Sequence, residues 1–229
     1  DGVNIYPTPT ELSEALCNYV VSRSAQSIAN NGRFCIALTV DFAFKLLIDA
    51  ITQEPFMSFV QWQRWWILFI DEYCLPLTHS ESNYRKISDL LLRRVNIPET
   101  HILPACDASA DLDEVGSACE SAAAFYEKQI RALGLPERDG LPIIDLILMS
   151  PTAEGNAASF LHGHMILRER ILNRKPTWGS TGPFRELGPT AVAAGMYGCP
   201  RARGPEAGDG SSMTERVSLT PAALRGAAT

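Results

Sequence analysis

Three junctions in this chain put chemically capable side chains directly after apolar runs. Trp65-Trp66-Ile67-Leu68-Phe69-Ile70 runs into Asp71-Glu72, and Phe34-Cys35-Ile36-Ala37-Leu38-Thr39-Val40 runs into Asp41. Ile143 to Met149 stops at a turn, after which Glu154-Gly155-Asn156-Ala157-Ala158-Ser159 reads as the opening of a helix, with His162 and His164 close behind. A buried strand passing through a turn into a helix N-terminus is where open α/β sheets place anionic ligands. Carboxylates and imidazoles gathered there suit proton transfer and the orientation of water. Asp71 and Glu72 are adjacent on a strand and so point to opposite faces, which rules out a dyad sharing one proton. Asn156 has no proton affinity near neutral pH; its amide can orient water or a carbonyl but cannot serve as a general base.

The elements that must position these groups are legible from periodicity. Thr10 is expected to cap a helix starting at Glu11, with Leu12, Ala15, Leu16, Tyr19 and Val20 at helical spacing, closed by Asn30-Asn31-Gly32. The runs 34–40, 65–70 and 143–149 read as strands buried on both faces. Asp41 is expected to cap a helix through Phe44, Leu46, Leu47 and Ile51, and Ser80 or Ser82 to open one bearing Ile87, Leu90 and Leu91. A longer helix runs through Leu112, Val115, Cys119, Ala122, Tyr126 and Ile130 and is closed by Gly134 and Pro136. Strands alternating with helices predict an α/β fold: an open, mainly parallel sheet with helices on both faces. His79 and His101 fall in loops and are expected to face solvent.

Periodicity disappears after about Leu172. Residues 172–214 hold eight glycines and five prolines, a proportion typical of non-periodic sequence. The expected organisation is therefore a main α/β unit over 1–171, a Gly/Pro-rich loop or insertion over 172–214, and a returning strand of the same unit within 215–229. That loop is read as a solvated spacer or as a partner-binding segment.

The chain has 229 residues, 46% of them hydrophobic, enough to bury one sizeable core. Its formal charge of −6 argues against nucleic acid as a partner, because phosphate contact needs clustered basic residues. No apolar run approaches the roughly 20 residues that span a bilayer, so no membrane partner is expected. The six cysteines are widely separated, without a C-x-x-C pair or a histidine at ligand spacing; no metal site is read from them. They read as reduced packing thiols of an intracellular, cytoplasmic protein. An organelle remains open, since a targeting segment removed upstream would leave no trace.

Three motifs in order carry a family resemblance. Gly32-Arg33-Phe34-Cys35-Ile36-Ala37-Leu38 is similar to G-R-F-x-x-A-L-S-G-G-S-T-P. Asp71-Glu72-Tyr73-Cys74-Leu75-Pro76-Leu77 followed by Ser82-Asn83-Tyr84-Arg85 is similar to D-E-R-x-V-P-x…S-N-Y-R. Gly155, Ala158, Ser159, Gly163 and His164 match G-M-G-x-D-G-H-T-A-S-L-F-P-G-H. Glu215-Arg216-Val217-Ser218-Leu219-Thr220 looks like E-R-I-T-L-T. These resemble the glucosamine-6-phosphate isomerase/6-phosphogluconolactonase family, on its lactonase branch. The resemblance implies a Rossmann-like sheet, hydrolysis of 6-phospho-D-glucono-1,5-lactone without a cofactor, a Gly-rich loop plus basic side chains holding the sugar phosphate, and a histidine activating water.

The chain departs from that pattern at several working parts. The family's Ser-Gly-Gly-Ser-Thr falls on Thr39-Val40-Asp41-Phe42-Ala43, and its catalytic histidine falls on Asn156. Its Gly-Met-Gly falls on Ser150-Pro151-Thr152, the arginine after Asp-Glu on Tyr73, and the signature aspartate on Glu154. Arg216 and Arg85 are the retained basic candidates for the substrate. For Asp71 and Glu72 both a pocket role and a structural role stay open, and His164 reads as structural or as part of the site. Weak or lost lactonase activity is expected, or else a non-catalytic subunit that uses the fold to meet a protein partner.

Overall fold

The computed structural model describes residues 3–73, 75–105, 117–138, 141–151, 196–200 and 215–219. Helix α1 (Pro9–Asn31) begins two residues earlier than its periodicity suggests. Thr8 rather than Thr10 is the cap: its hydroxyl accepts from the Glu11 amide at 3.2 Å, and Pro9 takes a first-turn position that needs no N–H. Gly32 ends the helix with φ +74°, a left-handed geometry that favours glycine, and its N–H donates to the Ile28 carbonyl.

β1 (Phe34–Leu38) is buried at all five positions, so the layers on both sides of it are filled. It lies in register between β2 (Trp65–Phe69) and β6 (Leu146–Leu148), and both pairings are parallel. α1 packs on β1 and on α2 (Phe42–Ile51), which sinks Phe44, Leu47, Ile48 and Ile51 into the core; the short α3 (Phe56–Phe59) packs against both helices. β6 is shorter than the apolar run 143–149. Its entry is replaced by Asp145, whose carboxylate accepts the Cys35 N–H at 2.8 Å.

The run 65–70 also divides. At Ile70 the chain leaves the parallel sheet, and Asp71–Tyr73 forms β3 in a second, antiparallel sheet. On the side of β2 away from β1, Ile102 makes an isolated parallel bridge with Ile67. The Ile67 carbonyl accepts the Leu103 N–H at 2.9 Å, and the Tyr126 hydroxyl lies 2.6 Å from the Phe69 N–H and 3.0 Å from its carbonyl. Tyr126 belongs to α5 (Ser117–Ala132), which carries the Cys119–Ile130 part of the expected long helix, while Leu112 and Val115 lie outside the described residues. α4 (Asn83–Ile87) is capped by Ser82 and runs into a π-helical turn over Ser88–Leu92. β4 (Glu137–Arg138) and β5 (Leu141–Pro142) form a small hairpin.

Two further strands complete the second sheet. β8 (Glu215–Leu219) pairs antiparallel with β3 on one side and with β7 (Met196–Pro200) on the other. β7 lies inside the stretch 172–214 that was expected to be loop. Met-Tyr-Gly-Cys-Pro has no alternation to announce a strand, and its backbone pairing with β8 defines it. His79 is exposed as expected, whereas His101 is not free in solvent: it stacks on Trp66 at 4.0 Å, with Nδ1 3.2 Å from the Trp65 carbonyl oxygen.

Candidate functional site

Thr39, Asp41, Asp71, Glu72 and Ser150 all follow the carboxyl ends of the parallel strands β1, β2 and β6, the end of an open α/β sheet where ligands bind. Asp71 is buried; its Oδ1 accepts from the Thr39 hydroxyl and, at 3.1 Å, from Asn83 Nδ2, which also donates to the Asp71 carbonyl at 2.9 Å. Thr39 lies just beyond β1, so this contact fastens β1 to the point where the chain leaves β2.

Glu72 turns to other partners. It is fully buried. Oε1 accepts the N–H groups of Tyr73 at 2.8 Å and Asn83 at 2.7 Å, while Oε2 accepts the Tyr84 N–H at 2.7 Å and the Ser82 hydroxyl at 3.2 Å. Its carboxylate thus takes the first two amides of α4, and the Ser82 hydroxyl accepts the third, from Arg85. Burial raises the Glu72 carboxyl above its ordinary value, and the three amides and the hydroxyl pull it back.

Asp41 is a helix cap with a second contact. Oδ1 accepts the Phe44 N–H at 2.9 Å, inside the first turn of α2, and Oδ2 accepts the N–H of Ser150, just past β6. Val40 is half-buried and Phe42, the first residue of α2, is 59% exposed. Among the described glycines only Gly32 and Gly134 have positive φ, so no left-handed glycine shapes residues 39–43.

The basic candidates are placed differently from one another. The Arg85 guanidinium is held by Asp89 at 2.7 Å, and Asp89 also pairs with Arg93 at 2.8 Å. These pairs keep the exposed Asp89 carboxyl below its usual range. Arg216 stands in β8 at the register position opposite Tyr73, itself buried in β3. Glu154, Gly155, Asn156, His162 and His164 lie outside the described residues. No group of three or more potential metal ligands occurs among the described residues.

Residues 7–179 match the family described as glucosamine-6-phosphate isomerases/6-phosphogluconolactonase. The chain belongs to this family. Its relatives include probable 6-phosphogluconolactonase 3, chloroplastic, of Oryza sativa subsp. indica. That protein is 30% identical over 173 residues, which is 73% of this chain and 50% of the relative. Probable 6-phosphogluconolactonase 4 of Arabidopsis thaliana is 30% identical over 172 residues, 72% of this chain and 64% of that one. The chain therefore spans about half the length of the rice relative it matches. The fold is that of the 6-phosphogluconolactonase from Trypanosoma brucei, with a TM-score of 0.70 at 21% identity over 98% of this chain and 78% of that one. A monomeric glucosamine-6-phosphate deaminase also shares it, with a TM-score of 0.57 at 12% identity over 96% and 76%. No described helix is long and apolar enough to cross a membrane.

Of the residues the sequence singled out, Asp41 lies at the start of α2, while Asp71 and Glu72 follow β2 and turn to different partners, Thr39 and Asn83 for one and the α4 amides for the other. Two further residues, Asn83 and Ser150, gain their importance only in three dimensions. Asn83 was visible as part of the S-N-Y-R match, but its bridge between the two carboxylates was not. Ser150 was visible as a replaced glycine.

Proposed function

We propose that this chain is a divergent 6-phosphogluconolactonase-like protein whose hydrolysis of 6-phospho-D-glucono-1,5-lactone is weak or lost. The observation that carries this reading is the Asp41 carboxylate seated on the first turn of α2, where the family resemblance puts the substrate phosphate. A phosphate dianion within about 4 Å of that carboxylate meets a repulsion of about 4 kcal/mol per charge pair at an effective dielectric near 20, roughly a thousandfold in affinity. The substitution of Asn156 at the family's histidine position supports the same reading, since losing a general base removes about a factor of 100 to 10,000 in rate. The family reaction needs no cofactor, and none is proposed.

The purified protein, assayed for lactone opening against a buffer blank that accounts for spontaneous hydrolysis, is expected to accelerate the reaction at least a hundredfold less than an active family member run in parallel. Equal rates would sink the proposal.

A second reading, a non-catalytic subunit that uses the fold to meet a protein partner, draws on exposed apolar side chains: Val3 and Ile5 are about nine-tenths exposed, and Phe59 and Phe42 more than half. A cytoplasmic location is inferred with it; the buried, unpaired thiols of Cys17 and Cys35 support a reducing compartment.

A further inference from the structure

Two of the departures from the family pattern, at positions 41 and 150, touch each other. Asp41 Oδ2 accepts the Ser150 N–H, and the Ser150 hydroxyl in turn accepts the Ala43 N–H at 3.3 Å. With the Phe44 amide on Asp41 Oδ1, three N–H groups around the β1–β6 crevice are occupied by side chains of the chain itself. The residues are 109 apart in sequence and sit on turns at the ends of neighbouring parallel strands. A cap alone would need one carboxylate oxygen and one amide of its own helix. The second oxygen crosses to a different strand end, and the hydroxyl returns the contact.

We propose that Asp41 and Ser150 form a clasp that closes the crevice between the β1–α2 and β6 turns, an autoinhibitory contact in which a resident carboxylate takes the place of an anionic ligand. The proposal deepens the reading of the site given above and rests on it. It makes the two substitutions one compensated change rather than two separate losses. The carboxylate satisfies two amides and the hydroxyl a third at the ends of β1 and β6. The clasp also joins the two turns mechanically, so anything anionic that enters must first break it.

The test uses inorganic phosphate and the whole chain. In the wild-type protein the Ser150 amide is expected to exchange slowly with deuterium, and 20 mM phosphate is expected to leave the thermal midpoint where chloride of equal ionic strength leaves it. Asp41→Ser keeps a helix cap but is too short to reach Ser150. It is expected to lower the midpoint by about 2–6 °C and to speed Ser150 exchange at least tenfold. Asp41→Gly combined with Ser150→Gly is expected to gain a phosphate-dependent rise of about 2 °C or more.

Fast Ser150 exchange in the wild type, or a phosphate response there, overturns the clasp without any variant. Folded variants that remain indifferent to phosphate overturn its inhibitory role. Lactone hydrolysis at the rate of an active family member would defeat the functional reading together with the inhibitory role, whereas fast Ser150 exchange in a wild type inactive on the lactone would defeat the clasp alone, so the two failures are distinguishable.

Discussion

Four hydrogen bonds converge on Glu72, three from backbone N–H groups and one from the Ser82 hydroxyl. A carboxylate can accept all four because it carries no proton of its own. A glutamine at the same place must turn an NH2 group toward one pair of donors. Glu72→Gln is therefore expected to cost about 1–3 kcal/mol at neutral pH, read from urea unfolding midpoints. The pH dependence follows from the raised carboxyl. The native state holds the Glu72 proton more tightly than the unfolded chain does, so its contribution to stability is present below the ordinary value of 4.5 and declines as pH rises through the raised one. The difference in stability between the wild type and Glu72→Gln, followed from pH 4 to 7, should carry this slope; a flat difference would show that the carboxyl titrates alike in both states. The Cys17 and Cys35 thiols are pushed up by burial to about 11 and about 12, which makes them packing groups rather than nucleophiles at neutral pH.

At the end of β2, α5 supplies a hydroxyl to the backbone of Phe69. Tyr126 satisfies both the N–H and the carbonyl of Phe69 from a fully buried position, and the next residues can then turn away to deliver Asp71 and Glu72 to the crevice. Tyr126→Phe keeps the ring and its packing but leaves those two backbone groups without the hydroxyl. It is expected to cost about 1–3 kcal/mol. Amide exchange at Phe69 should accelerate beyond what the global loss of stability explains. Unchanged protection at Phe69 would mean that the strand end is held by packing alone.

At the scale of the molecule, a net charge of −6 sits together with apolar side chains exposed at Val3, Ile5, Phe42 and Phe59. Charge keeps like molecules apart, while exposed apolar side chains favour a partner. If the fold serves as an interaction subunit, native mass spectrometry of the protein isolated from its source should show a stoichiometric complex with another chain. A bare monomer mass would count against that role. The reciprocal pairing of β3, β8 and β7 makes residues 196–200 and 215–219 part of the sheet that bears Asp71 and Glu72, so loss of the C-terminal stretch should also loosen the crevice.

The sequence alone marked the strands of the parallel core and the Asp41 cap, whereas the fold moved the α1 cap from Thr10 to Thr8 and chose Ser82 over Ser80. Continuous apolar runs at 34–40 and 65–70 read as buried strands, and Asp41 announces the helix it caps because its side chain has a local amide to bind. It also placed Asp41, Asp71 and Glu72 at strand ends, since each follows such a run. Tertiary structure decided what those carboxylates do. The partners of Asp71 are Thr39 and Asn83, those of Glu72 are the amides of α4, and the second partner of Asp41 is Ser150. Only the folded chain brings residues 109 apart to one hydrogen bond, because such contacts depend on strand order and register rather than on local spacing. For the same reason β7 was hidden: a Gly- and Pro-containing strand has no period of its own and exists through its pairing with β8.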